Sequence, residues 1–164
     1  MNRTLDALKQ GMSTELWGRH FYEQAAARTR AEDGQKVFQS LIREEEDHLD
    51  ILRGRYAALS GEKSWVTMDE ARALASSVDP ADIFPQADAD DEDALRLAMD
   101  FERRGYEQYT ESARKATSDA EREMWEYLVR AEDQHFAFLQ ETYEYLSNNG
   151  VWYYDDQERP FFEG

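Results

Sequence analysis

Glu45-Glu46-Asp47-His48 and, 87 residues later, Glu132-Asp133-Gln134-His135 share the spacing Glu-x-x-His. Positions three apart lie on one face of a helix, so each motif predicts a helix that turns a carboxylate and an imidazole the same way. Leu41 and Leu52 bracket the first motif and Leu128 and Leu139 the second, each four residues away. That is the period of an amphipathic helix. The offset extends outward without a gap. It sets Leu8 on Leu95, Met12 on Met99, Glu15 on Glu102, Gly18 on Gly105, Tyr22 on Tyr109 and Ala26 on Ala113. It continues through Arg43 on Arg130, Tyr56 on Tyr143 and Leu59 on Leu146. Matches of Gly, Tyr and His in one frame point to a helical hairpin written twice.

The chain has only three prolines, Pro80, Pro85 and Pro160, so most of it is free of helix breakers. The first helix is expected over about Arg3–Ala31, with a turn around Asp33–Gly34. The second runs to about Ser60 and ends at Gly61, a C-cap glycine. A connection follows over 62–89, with a short helix expected at Met68–Ser77. The third helix spans about Asp91–Thr117, and Ser118 is the candidate N-cap of a fourth that stops near Ser147. Two short turns and one long crossover describe an all-α, ferritin-like four-helix bundle with a pseudo-two-fold internal repeat. Residues 1–148 form that one domain, and 149–164 an aromatic tail.

Composition narrows the function classes. Of 164 residues, 19 are Lys or Arg and 36 are Asp or Glu, a formal net charge of −17. Nucleic acid needs a basic footprint, and anionic membrane surfaces repel this charge. No apolar run approaches the roughly 20 residues that span a bilayer. The N-terminus has no basic stretch leading into an apolar one, so a cytoplasmic location is expected. There is no cysteine, which removes disulfides, thiolate nucleophiles and iron–sulfur clusters.

The apolar stripes carry the functional argument. Each of the four helices places one glutamate among residues that face the core: Glu15, Glu45, Glu102 and Glu132. An unpaired buried carboxylate is costly, and four together would repel one another. Two divalent cations balance four carboxylates, and His48 and His135 add neutral nitrogen ligands. In this reading each Glu-x-x-His motif holds one metal, while Glu15 and Glu102 bridge the pair. Carboxylate and imidazole suit iron, with manganese or a mixed pair as alternatives. A single Glu-x-x-His in so acidic a helix reads equally well as a solvated charge run, Glu44–Asp47 included. Two in register, each 30 residues after a buried glutamate, do not.

On these residues the chain resembles the rubrerythrin-like branch of the ferritin-like superfamily, across about Leu5–Leu146. The residues are Glu15 with Tyr22 seven on, Glu45-x-x-His48, Glu102 with Tyr109 seven on, and Glu132-x-x-His135. The resemblance implies that the six Glu and His residues are ligands of two iron ions, with Tyr22 and Tyr109 beside them as candidate catalytic residues. It implies reaction of the diferrous pair with hydrogen peroxide or O2. Two features depart from the family. The four-cysteine rubredoxin domain that delivers electrons is absent, so a separate donor, such as a rubredoxin-like protein, is required. The extra glutamate one turn from the helix 3 ligand is also missing, since Met99 and Gly105 stand there. Iron storage of ferritin or bacterioferritin type is the alternative function, although the haem-binding methionine of bacterioferritins is replaced by Glu46. A metal-free interaction bundle ranks below both.

Three further features are read from the residues alone. Gly18 and Gly105 either let helices approach or leave space near the metals. His20 is a boundary residue. The tail Val151-Trp152-Tyr153-Tyr154, with Phe161-Phe162, is too aromatic to stay free; it packs on the bundle or, preferably, on a homodimer partner.

Overall fold

A computed structural model describes residues 3–61, 66–70 and 90–155. Four long helices account for most of them: α1 Arg3–Arg28, α2 Glu32–Ser60, α3 Asp91–Lys115 and α4 Asp119–Asn149. The architecture is an all-α bundle of two antiparallel hairpins, α1 on α2 and α3 on α4. Helix ends follow local chemistry. The Asp90 side chain accepts from the Asp93 N–H at 2.8 Å and Ser118 from the Glu121 N–H at 3.2 Å, each satisfying a donor the helix cannot. Gly61 and Gly150 end α2 and α4 at φ 72° and 71°, in the left-handed region where a side chain would clash.

Two expected boundaries move. The α1–α2 turn falls at 29–31, because Gln35 Nε2 binds the Thr29 carbonyl at 2.8 Å and holds the chain there. Gly34 lies inside the first turn of α2. A Cβ on it would stand 2.5 Å from Thr29 and 2.7 Å from the Trp152 ring, so the glycine makes room for packing rather than for a turn. In the crossover, Thr67 and Glu70 exchange side-chain and backbone hydrogen bonds in a capping box, and 68–70 are helical. The rest of the Met68–Ser77 helix and the tail beyond Asp155 lie outside the described residues.

The buried apolar side chains fall into two clusters. One contains Phe21, Tyr22, Phe38, Leu41, Leu95, Leu139 and Trp152. The other contains Leu8, Met12, Leu52, Tyr109, Trp125 and Leu128. In every helix the predicted ligands come between the residue that enters one cluster and the residue that enters the other. The polar groups therefore form a belt across the middle of the bundle, sealed at both ends. Trp152 is only 8% exposed, packs edge-on to Phe38 and donates to Asp91 at 2.9 Å, so this part of the tail lies on its own bundle. Leu59, the repeat counterpart of the buried Leu146, is 43% exposed. It sits in the last turn of α2, past the final core residue Tyr56.

Candidate metal centre

All six predicted ligands are buried, none more than 2% exposed. They meet at the centre because α1 and α3 run antiparallel across from one another, as do α2 and α4. The two imidazoles stack, with ring centroids 5.4 Å apart and planes within 14°. His48 Nδ1 lies 3.6 Å from Glu15 Oε1 and 4.0 Å from Glu132 Oε1. His135 Nδ1 lies 3.3 Å from Glu102 Oε2 and 4.0 Å from Glu45 Oε1. Ligand atoms of Glu15, His48 and Glu132 come within 4.8 Å of one another, and so do those of Glu45, Glu102, Glu132 and His135.

Glu132 stands in both groups, whereas Glu15, Glu45 and Glu102 each belong to one. The motif glutamates reach across, because a residue three before the imidazole on the same helix is carried toward the opposite hairpin.

The tyrosines cross over as well. Tyr22 donates to Glu102 at 2.5 Å and Tyr109 to Glu15 at 2.7 Å. Each tyrosine therefore serves the carboxylate of the other hairpin, two turns from its own. Burial and the adjacent Glu102 push the Tyr22 hydroxyl well above its ordinary pKa, and burial and Glu15 do the same for Tyr109. Both remain neutral donors.

Without cations, burial and mutual repulsion divide the four carboxylates into two raised and two lowered. Burial, followed by the Glu15 charge, drives Glu45 well above the carboxylate range, and burial with Glu102 does so for Glu132. Burial opposes ionisation of Glu102 too, but His135 and hydrogen bonds from Glu132, His135 and Tyr22 outweigh it and hold it at about 2. Glu15 is likewise lowered against its burial, by Glu45, His48 and Tyr109. His135, although burial disfavours its charge, is pushed up to about 10 by Glu102 and Glu44.

Three observations test the fit to two cations. Glu15 Oε2, Glu45 Oε1 and His48 Nδ1 are fully buried without a hydrogen-bond partner, as atoms with an unmet ligand role would be. Two glycines leave room for carboxylates. A Cβ on Gly105 would stand 2.9 Å from Glu132 Oε2, and one on Gly18 would stand 3.0 Å from Glu45 Oε2. The space both vacate is therefore beside the motif glutamates. The third is the donor set itself, four carboxylates with two imidazoles, which matches hard divalent ions. The residues fit.

One contributor escaped the sequence reading. Glu44, taken there as part of a charge run, places Oε1 3.3 Å from His135 Nε2, while Glu46 and Asp47 are exposed. Its i, i+4 relation to His48 was the available signal. His20 stays at the boundary, its ring 5.9 Å from that of Trp17, and joins none of the ligand groups.

The family model described as Rubrerythrin matches residues 6–143. Among curated proteins no match was found. A solved structure with the same fold is a dodecameric thioferritin, the bacterioferritin-related protein of Bacteroides fragilis. It superposes with a TM-score of 0.68 at 20% identity, over 90% of this chain and 86% of that one. Among the described residues no helix is long and apolar enough to cross a membrane.

Proposed function

The chain belongs to the rubrerythrin family, and from that premise we propose that it is a non-haem di-iron oxidoreductase that reduces hydrogen peroxide or O2. The observation that supports this reading best is the buried belt: four carboxylates and two imidazoles converge there, and no Lys or Arg is buried among the described residues. Glu15, Glu45, His48, Glu102, Glu132 and His135 would hold the two ions. Two Fe(II) ions so held supply the two electrons that take peroxide to two waters, with two protons consumed. The chain's own contribution is to fix the ligands and exclude bulk water, through the apolar clusters on either side. Tyr22 and Tyr109 orient Glu102 and Glu15, and each keeps a proton within hydrogen-bond reach of the site. With no cysteine in the chain, electrons come from a separate donor.

Elemental analysis after anaerobic Fe(II) loading, brief air exposure and desalting tests the reading. About two irons per chain, with peroxide consumed against an external reductant, is the expected result. Glu45→Ala should lower metal content and stop the reaction. Retention of no iron by a folded chain would overturn it.

A second reading, iron storage in a closed shell, has its own observation. Tyr106, Tyr145, Val151 and Tyr153 are exposed, and exposed aromatic surface favours assembly. Loading far above two irons per chain, in a particle much larger than a dimer, would select it.

A further inference from the structure

Glu44 has no equivalent in the second half of the chain: the position 87 residues on is Ala131. His135 is fully buried and held at both nitrogens, Nδ1 by Glu102 Oε2 and Nε2 by Glu44 Oε1, each at 3.3 Å. His48, its partner in the stack, has Nδ1 toward Glu15 and Glu132 and no hydrogen bond there. Glu44 comes within 4.8 Å of a His48 nitrogen, yet its bond is to His135.

We propose that Glu44 is a positioning residue for one metal site only, making the His135 position the tighter of the two cation sites. The inference rests on the di-metal reading above. A neutral imidazole has one lone pair. When Nδ1 offers it to a cation beside Glu102 and Glu45, the remaining proton sits on Nε2, where Glu44 accepts it. This bond fixes the ring's rotation and strengthens the nitrogen as a donor. Alanine at the matching position offers His48 no acceptor. A third cation among Glu44, His48 and His135 would need a second lone pair from each ring, which a neutral imidazole bound at Nδ1 lacks.

The test is anaerobic titration of the full-length, metal-free chain with Co(II), followed by calorimetry and by visible absorption. The wild-type chain should bind two ions in two resolved steps. In Glu44→Ala the tighter step should weaken about 10- to 100-fold toward the other, which should stay nearly unchanged. Glu44→Gln, which keeps an acceptor oxygen, should recover much of the separation. Circular dichroism at each endpoint confirms the helices. Two steps left unchanged in Glu44→Ala, or equal weakening of both, would overturn the proposal while leaving the di-metal reading intact. A stoichiometry of three falling to two in the variant would make Glu44 a ligand and also overturn it. No binding by the wild-type chain would remove both readings.

Discussion

The two halves of the molecule, related by an 87-residue shift, agree at the ligands and disagree around them. Glu15 and Glu102, Glu45 and Glu132, His48 and His135, Tyr22 and Tyr109, Gly18 and Gly105 are the same residue twice. The shell outside them is not. Phe38 packs on Tyr22 with ring centroids 6.2 Å apart, whereas its counterpart Trp125 packs on Tyr109 at 5.4 Å. Across the α1–α3 seam, Phe21 stacks on Phe101 at one end of the site. Their counterparts, Gln108 and Thr14, share a 2.8 Å hydrogen bond at the other end. Identity is kept where charge must be balanced, since every member of that set answers to the others. Outside it, an apolar pair and a polar pair fill the same two places equally well. Symmetry of ligands therefore does not imply symmetry of surroundings.

The largest effect that should respect the symmetry comes from the tyrosines. Tyr22→Phe and Tyr109→Phe each take a donor from a buried carboxylate, leaving Glu102 or Glu15 short of one hydrogen bond. Denaturant unfolding of the metal-free chain should show a loss of roughly 1.5–3 kcal/mol for either variant. The two losses should be of similar size, because both hydroxyls are fully buried and each bonds a buried glutamate. A loss confined to one variant would mean that the aromatic backing, Phe38 or Trp125, governs the tyrosine rather than its carboxylate.

Much of this was legible in the sequence, and what was not has a physical reason. The Glu-x-x-His motifs and the repeat located six side chains that converge in the buried belt, because a carboxylate among leucines is conspicuous in a 3.6-residue period. Ser118 and Gly61 announced helix ends through local chemistry alone. Gly34 misled, since a glycine that admits a distant indole looks the same in sequence as one that turns the chain. Glu44 was hidden by its neighbours: a run of four acidic residues does not reveal which of them faces inward.

The glycines should break the symmetry, with a smaller effect. A methyl on Gly18 would meet the Phe101 ring at 2.7 Å and 2.9 Å, and a ring wedged against Phe21 has little freedom to move. On Gly105 the three nearest heavy atoms all belong to the Glu132 side chain, the carboxylate oxygen foremost. Gly18→Ala should cost about 1–3 kcal/mol of overpacking, offset by about 1 kcal/mol of helix propensity. Gly105→Ala should leave the metal-free chain as stable as before, or slightly more so, while displacing Glu132 and weakening Co(II) binding. Unfolding curves and Co(II) titrations of both variants separate the two outcomes. Matching stability losses in the two variants would show that the Phe101 stack yields as easily as a carboxylate.

The smallest difference lies far from the site, where the second half carries Glu111 and the first half Gln24. Glu111 is bonded by Arg114 and lies 3.4 Å from Lys115 Nζ, which holds its carboxyl at about 2, although burial contributes nothing in its favour. A pKa lowered by folding stabilises the native state above the unfolded value of 4.5, and that contribution is lost as pH falls toward about 2. Glu111→Gln makes the halves alike at this position. All three side chains are exposed, so solvent screens the cluster, and the melting temperature at pH 7 should fall by no more than about 1–2 °C. The gap between variant and wild type should narrow when pH is lowered from 4.5 to 3, and again in about 0.5 M salt. A gap that holds constant through both changes would locate its origin in helix propensity at the end of α3 rather than in charge.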